Sequence, residues 1–162
     1  MNYCWYNKST LMGLLLFARF SLSASSQQLP LVQIERPSSV SVVAGQEQQL
    51  TLSFTISNGY HIQANQPADE NLIPTVLTFA ASNQINVGSP VFPAPTKFRM
   101  LGTEEDLLVF GDTLEIKIRI TASPLAENGQ HTLKGELHYQ ACDSFKCYFP
   151  RDIEFAVEVQ VE

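Results

Sequence analysis

The chain has 162 residues, of which 44% are hydrophobic, and this is enough apolar material for one ordinary domain with a real core. Its formal net charge is −6 and no stretch concentrates lysine and arginine, so the basic face that nucleic-acid binding requires is absent. A domain of this size does not need disulfides merely to fold, which leaves its cysteines available for another task.

Residues 1–26 have the features of a secretory signal peptide. Lys8 supplies a positive charge, Leu11–Ala18 is an apolar run too short to span a bilayer, and Ala24–Ser26 fits a small-x-small cleavage pattern. Arg19 interrupts the apolar stretch, and a disordered or interfacial tail is the alternative interpretation. We expect export of a mature domain spanning residues 27–162, with no membrane insertion.

Removal of this segment would change the charge and the cysteine count. It takes Lys8 and Arg19 from ten basic residues, which leaves eight against 16 acidic residues and a net charge of −8. Such a balance favours solubility and disfavours anionic membranes. Because Cys4 is also removed, the mature domain would carry two cysteines, Cys142 and Cys147.

From about residue 30 onward, apolar and polar residues alternate, which is the period of a strand with one buried face. In chain order, the predicted strands are Val40–Val42, Leu50–Ile56, Val76–Phe79, Ile85–Val87, Leu114–Ile120, Leu133–Tyr139 and Ile153–Val161. Turn residues such as Asn58-Gly59 and Asn128-Gly129 separate them. About seven to nine short strands at this spacing predict an all-β antiparallel sandwich.

Cys142 and Cys147 lie in one short segment between the last two predicted strands. An exported protein with two cysteines usually forms a persistent disulfide, and a four-residue separation suits a hairpin-like loop. The bond would close a ring of six residues, for which loop closure predicts about 2 kcal/mol, near the low end for disulfides. A crosslink that only stabilises the fold would be poorly placed here.

The neighbours of the two cysteines favour a redox role. Lys146 beside Cys147 should favour its thiolate, whereas Asp143 beside Cys142 should oppose ionisation there. Inequivalent sulfurs suit an exchange reaction with one attacking and one resolving thiol. From spacing and neighbours alone, a redox pair and a structural crosslink remain equally open.

Metal binding is a third alternative, in which His138, Cys142 and Cys147 would be joined by His131 or His61 as ligands. His138 and Cys142 would lie about 13 Å apart along an extended strand, whereas zinc ligands converge to about 2.0–2.3 Å from one ion. We therefore expect no metal and no cofactor. No motif for a serine nucleophile, a phosphate loop or a zinc protease is present.

Two segments carry a resemblance to a known family. They are residues 58–75, which begin Asn-Gly-Tyr-His-Ile-Gln-Ala-Asn, and residues 139–150, which contain both cysteines. The chain resembles the N-terminal periplasmic domain of the DsbD-type thiol:disulfide interchange protein, also found as a free-standing module. It departs from the family pattern in a cysteine spacing one residue shorter and in Lys146, which occupies an aromatic position.

This resemblance implies an immunoglobulin-like sandwich in the periplasm whose cysteine pair cycles between dithiol and disulfide. Cys147 would match the nucleophile and Cys142 the resolving thiol. The implied partners are thioredoxin-fold proteins, with separate molecules as electron donor and acceptor, and the implied activity is that of a thiol:disulfide oxidoreductase of the protein-disulfide reductase type. The alternative is a non-catalytic secreted binding domain with a structural disulfide.

The resemblance also implies a pocket around the cysteines. Tyr60, Phe145 and Tyr148 are the aromatic candidates for its wall, beside the modulating residues Lys146 and Asp143. A cap loop that shields the pair would fall between Lys97 and Phe110, with Met100-Leu101 and Leu107-Leu108 as candidates for its apolar tip.

Overall fold

The computed structural model describes residues 30–35 and 39–162, so the predicted signal peptide lies outside the described residues. The described part of the chain contains no helix. It forms twelve strands, which are β1 (Val32–Ile34), β2 (Val40–Val42), β3 (Glu47–Ile56), β4 (His61–Gln63), β5 (Val76–Phe79), β6 (Ile85–Val87), β7 (Thr96–Phe98), β8 (Leu107–Gly111), β9 (Thr113–Ala122), β10 (Gly129–Tyr139), β11 (Ala141–Cys142) and β12 (Arg151–Val161).

The strands form three four-stranded sheets. The first has the order β1-β3-β9-β6, the second β2-β12-β10-β5, and the third β11-β4-β8-β7. All pairs are antiparallel except β2 and β12, which run parallel. Within the described ranges, no segment has the length and hydropathy of a membrane-spanning helix.

The main core lies between the first two sheets. Strict alternation along β3, β9, β10 and β12 places one face of each strand inside, as the sequence predicts. Its largest fully buried side chains include Phe54, Leu52 and Ile116 from the first sheet and Leu133 and Leu137 from the second. The prediction of an all-β sandwich is therefore confirmed.

A glycine on β10 makes room for an aromatic contact on the second sheet. A Cβ at Gly135 would lie 2.4 Å from the Phe155 ring, so a side chain there would force the ring to move. The ring of Phe155 meets Phe54 edge-on at 5.9 Å and Phe79 at 5.8 Å. These contacts extend the main core to the strand that follows the cysteine segment.

The third sheet is built from short strands and carries the cysteine segment. Ala141 and Cys142 of β11 pair with Ile62 and His61 of β4. On its other side, β4 pairs with β8, so β4 connects the cysteine strand to the rest of this sheet. The turn before β4 needs Gly59, which has a φ of 81° and therefore adopts the left-handed conformation that glycine tolerates.

Candidate functional site

The two cysteines are joined by a disulfide across a short hairpin. Cys142 and Cys147 face each other as an isolated antiparallel bridge, with their Cα atoms 3.9 Å apart. The hairpin is closed by backbone hydrogen bonds from Asp143 N to Lys146 O, at 2.9 Å, and from Tyr148 N to Ala141 O, at 2.8 Å. The sulfurs are thus fixed at the end of the third sheet.

Asp143 organises this hairpin through its carboxylate. Oδ1 accepts hydrogen bonds from the backbone N–H groups of Phe145, at 2.7 Å, and Lys146, at 2.9 Å, and Oδ2 accepts from the Tyr148 hydroxyl at 2.6 Å. The Tyr148 hydrogen bond, followed by the two backbone donors, holds the pKa of Asp143 below its usual value. The same hydrogen bond raises the pKa of Tyr148. The carboxylate therefore stays ionised and shapes the turn.

The two cysteines differ in their exposure to solvent. Cys142 is completely buried, whereas Cys147 is partly exposed. Cys147 lines a groove of about 340 Å³ whose other walls are Gln140, Lys146, Tyr148, Phe149 and Pro150. A second protein could reach the sulfur of Cys147 from this groove, whereas the sulfur of Cys142 lies behind it.

Gln63 on β4 is the polar side chain that contacts the sulfurs. Its Nε2 lies 3.3 Å from Cys142 Sγ and 3.7 Å from Cys147 Sγ, within the range of hydrogen bonds to sulfur. The residue is completely buried, and its Oε1 has no hydrogen-bond partner among the described residues.

A small apolar cluster encloses the disulfide on the protein side. Its buried members are Leu107, Val109 and Cys142, and the partly buried side chains packed against them are Leu72, Phe98, Met100 and Cys147. We call this group the cysteine cluster. It is separate from the main core, which contains the buried residues of the first two sheets together with Ile62, Phe110 and Ala141 of the third.

Residues 99–106 form a loop that supplies part of this cluster, and we call it the cap loop. Its base is closed by Arg99, which donates from Nε to Asp106 Oδ1 at 2.8 Å. Its tip is a turn in which Thr103 N donates to Met100 O, with Gly102 at a φ of 83°. Leu101 N donates to Ser144 O at 2.7 Å, which joins the cap loop to the cysteine hairpin.

Of the four residues predicted to form the apolar tip of the cap loop, two belong to the cysteine cluster and two do not. Met100 and Leu107 belong to the cysteine cluster. Leu101 is 65% exposed, and Leu108 packs against the main core instead.

Phe149 lines the groove at Cys147, and two further exposed apolar side chains lie on the cysteine hairpin and on the cap loop. Phe145 is 74% exposed and Phe149 is 91% exposed, and Leu101 lies on the adjoining cap loop. Tyr60 does not line the groove but packs behind it, with its ring 5.9 Å from that of Tyr148. Monomeric proteins rarely expose several large apolar side chains together unless they bind a partner.

The exposed side chain of Lys146 packs against an aromatic ring. Its Nζ lies 5.0 Å from the centroid of the Tyr148 ring, a cation–π arrangement on the wall of the groove. Its predicted influence on the Cys147 thiolate stays a prediction, as does the predicted influence of Asp143 on Cys142.

His61 lies opposite Cys142 on β4 and is half-buried. Its ring stacks on Phe98 at 4.0 Å, and its Nδ1 is buried without a partner among the described residues. Burial lowers the pKa of His61, although the nearby Asp112 carboxylate acts in the opposite direction.

Gln63 had no predicted role, because its contact with Cys142 spans 79 positions of sequence. The pairing of β4 with β11 brings Gln63 to the sulfurs. The alternation of apolar and polar residues in the sequence does not show which strands pair. Among the described residues, no group of three or more histidine, cysteine or acidic side chains is placed to hold a metal ion.

Comparison with known proteins gives one family. The family model described as "Thiol:disulfide interchange protein DsbD, N-terminal" matches residues 28–158. A search of curated proteins found no match.

Two solved structures are similar to the chain. The reduced DsbD N-terminal domain of Neisseria meningitidis is 19% identical, with a TM-score of 0.45, over 72% of this chain and 82% of that one. The N-terminal periplasmic domain of ScsB from Proteus mirabilis is 14% identical, with a TM-score of 0.51, over 78% of this chain and 44% of that one. The chain thus spans less than half of the ScsB structure, and this likeness concerns the fold alone.

Proposed function

The chain belongs to the family of N-terminal domains of the thiol:disulfide interchange protein DsbD, and on this premise we propose that Cys142 and Cys147 exchange electrons with thioredoxin-fold proteins in the periplasm. The observation that carries the proposal is the unequal exposure of the sulfurs. Cys147 opens onto a groove, and Cys142 is buried behind it. A persistent structural crosslink has no need of such a groove.

The two cysteines take different roles in this reaction. The Cys147 thiolate attacks a disulfide sulfur of the partner, a Cys147–partner disulfide forms, and the partner's other sulfur leaves as a thiolate. The Cys142 thiolate then attacks Cys147 Sγ, the mixed disulfide breaks, and the second partner sulfur leaves. The partner gains two electrons, and the Cys142–Cys147 disulfide is formed. A separate donor reduces this disulfide by the reverse sequence.

The rim of the groove supports docking of a protein. Phe149 exposes apolar surface in the groove beside Cys147, and Phe145 and Leu101 expose apolar surface on the cysteine hairpin and the cap loop. Partner recognition through this rim would place the partner's cysteines at Cys147, whereas the cap loop protects the buried side of the disulfide. The predicted signal peptide over residues 1–26 would deliver the domain to an oxidising compartment, where such disulfides form.

A trapping experiment tests the proposal. Replacing Cys142 with Ala removes the resolving thiol, so Cys147 should accumulate mixed disulfides with thioredoxin-fold proteins in a periplasmic extract. The Cys147→Ala variant is the matched control and should trap far less, because Cys142 is buried. Equal trapping by the two variants, or none by either, would contradict the assigned roles.

The reduction potential separates this function from that of a structural disulfide in a binding domain. Disulfides that only stabilise secreted proteins have potentials below about −300 mV, whereas exchange-active pairs are easier to reduce. We expect equilibration of the purified protein with a glutathione or dithiothreitol buffer to give a value above that limit. A value below it would favour the binding-domain alternative.

A further inference from the structure

The side chain of Gln63 is buried at a cost that the fold itself does not explain. Its amide contacts Cys142 Sγ and Cys147 Sγ through Nε2, and its Oε1 is without a partner among the described residues. Disulfide sulfur is a weak acceptor, and a buried carbonyl oxygen without a donor is destabilising. A methionine or leucine would fill the same space without either penalty.

The backbone of Gln63 does not explain the choice of side chain either. Gln63 N donates to Gln140 O at 3.0 Å, and Gln63 O accepts from the Thr75 hydroxyl. Any residue except proline would keep both of these contacts at this position, because both use main-chain atoms of Gln63. The amide group is therefore retained for something other than the stability of the third sheet.

The resolving step of the proposed function supplies a reason. Once Cys147 is joined to a partner, Cys142 must lose its proton to attack, yet it is completely buried in the cysteine cluster. Burial in apolar surroundings favours the neutral thiol over the thiolate. A nearby N–H donor offsets this effect because it stabilises the charged form.

We propose that Gln63 donates a hydrogen bond from Nε2 to the Cys142 thiolate and so sets the rate at which the mixed disulfide is resolved. This inference rests on the proposed function and adds to it a residue that touches the reacting sulfur. In the step, Cys142 gives its proton to solvent, its thiolate forms a bond to Cys147 Sγ, and the partner thiolate leaves. The hydrogen bond from Gln63 Nε2 stabilises the negative charge on Cys142 Sγ until that bond forms.

The experiment uses the reduced full chain, with Cys4 replaced by Ser in every variant so that the cysteine pair supplies all the thiols, and the small aromatic disulfide 5,5′-dithiobis(2-nitrobenzoate). Attack by Cys147 releases a first thionitrobenzoate, and attack by Cys142 on Cys147 Sγ releases a second. The Gln63→Met variant should slow the second release by about tenfold or more, the typical effect of losing a hydrogen bond to a charged group, and leave the first almost unchanged. Gln66→Met, at an exposed position of the same segment, is the matched control and should match the unmodified protein.

Two further measurements separate this role from a structural one. In a Cys147→Ser background, ultraviolet titration of the Cys142 thiolate should show a higher pKa when Gln63 is replaced with Met. The thermal midpoint of the Gln63→Met protein should be equal to or above that of the unmodified protein, because the unpaired Oε1 is gone. If Gln63→Met does not fold, Gln63→Glu keeps the shape, and its ionised carboxylate, which cannot donate, should slow the second release relative to the unmodified protein at the same pH.

The outcomes are distinguishable. If the first release does not come from Cys147, as shown by mass spectrometry of the trapped adduct, the proposed function fails. If the first release is normal and the second is as fast in Gln63→Met as in Gln66→Met, the role of Gln63 is overturned and the exchange function stands. A lowered thermal midpoint with an unchanged Cys142 pKa would likewise overturn it.

Discussion

The main core and the cysteine cluster are both apolar, yet they are enclosed in different ways. The main core lies between two sheets with long strands, and side chains such as Phe54 and Ile116 are fully buried there. The cysteine cluster lies on a sheet of short strands, has three buried members, and is closed on one side by the cap loop. A buried polar side chain, Gln63, contacts the sulfurs beside it.

The contrast indicates a division of work. Stability scales with the apolar area removed from water, and most of that area lies in the main core. The cysteine cluster has only three buried members and surrounds the disulfide. Variants of the two regions should therefore affect different measurements, stability for the first and disulfide reactivity for the second.

The largest effect is expected for Phe54→Ala in the main core. Phe54 is fully buried and meets the Phe155 ring, so truncation should lower the free energy of unfolding by about 3–5 kcal/mol. The rate at which dithiothreitol reduces the disulfide of the folded variant should not change. Phe149→Ala is the matched control; since Phe149 is 91% exposed, urea denaturation should show a change within about 0.5 kcal/mol. Similar losses in the free energy of unfolding of Phe54→Ala and Phe149→Ala would contradict the assignment of stability to the main core.

A smaller loss of stability, with a change in reactivity, is expected for Met100→Ala in the cap loop. Met100 is only partly buried, so truncation should cost about 1 kcal/mol, less than at a fully buried position. Because it opens the cover of the cysteine cluster, reduction of the disulfide by dithiothreitol should become several-fold faster. Leu101→Ala, at an exposed position of the same loop, should leave this rate unchanged. An unchanged rate in Met100→Ala would show that the cap loop does not limit access.

The smallest effect concerns the pH dependence of stability at His61. Burial lowers the pKa of His61 from its ordinary value of 6.5, so the unfolded chain binds the proton more tightly than the folded domain. Stability is therefore lost as the pH falls from about 6.5 toward the folded-state pKa. In His61→Phe, which keeps an aromatic ring against Phe98, urea denaturation should show a weaker loss between about pH 7 and pH 5. The same loss in both proteins would assign it to other groups.

The long strands could be predicted from the sequence because each has one buried face. The alternation at Leu114–Ile120 and Ile153–Val161 lies within β9 and β12. The strands of the third sheet were not predicted, because none of them contains two apolar residues separated by one polar residue, the pattern that marks the equally short β2 and β6. In β8, Leu107, Val109 and Phe110 are all buried, so the alternation is broken there as well.

The candidate site divides in the same way. The cysteines could be found because both lie in one short segment, and Asp143 is the residue type that forms such turns. The contact of Gln63 with the sulfurs depends on which strand lies beside β11, and this is a property of the tertiary fold. The exposure of Cys147 and the burial of Cys142 likewise follow from the packing of the cap loop and the third sheet.

The register of β4 has a consequence for how this site could be altered by insertion or deletion. In β4, His61 lies opposite Cys142 and Ile62 lies opposite Ala141. The turn at Asn58-Gly59 comes directly before β4, so its length sets this register. Loss of one residue from that turn would shift the strand by one position and exchange its two faces. The sulfurs would then meet hydrocarbon from Ile62 or Ala64 in place of the Gln63 amide. A change in the length of this turn could thus abolish thiol:disulfide exchange although the sequence keeps every cysteine and every core residue.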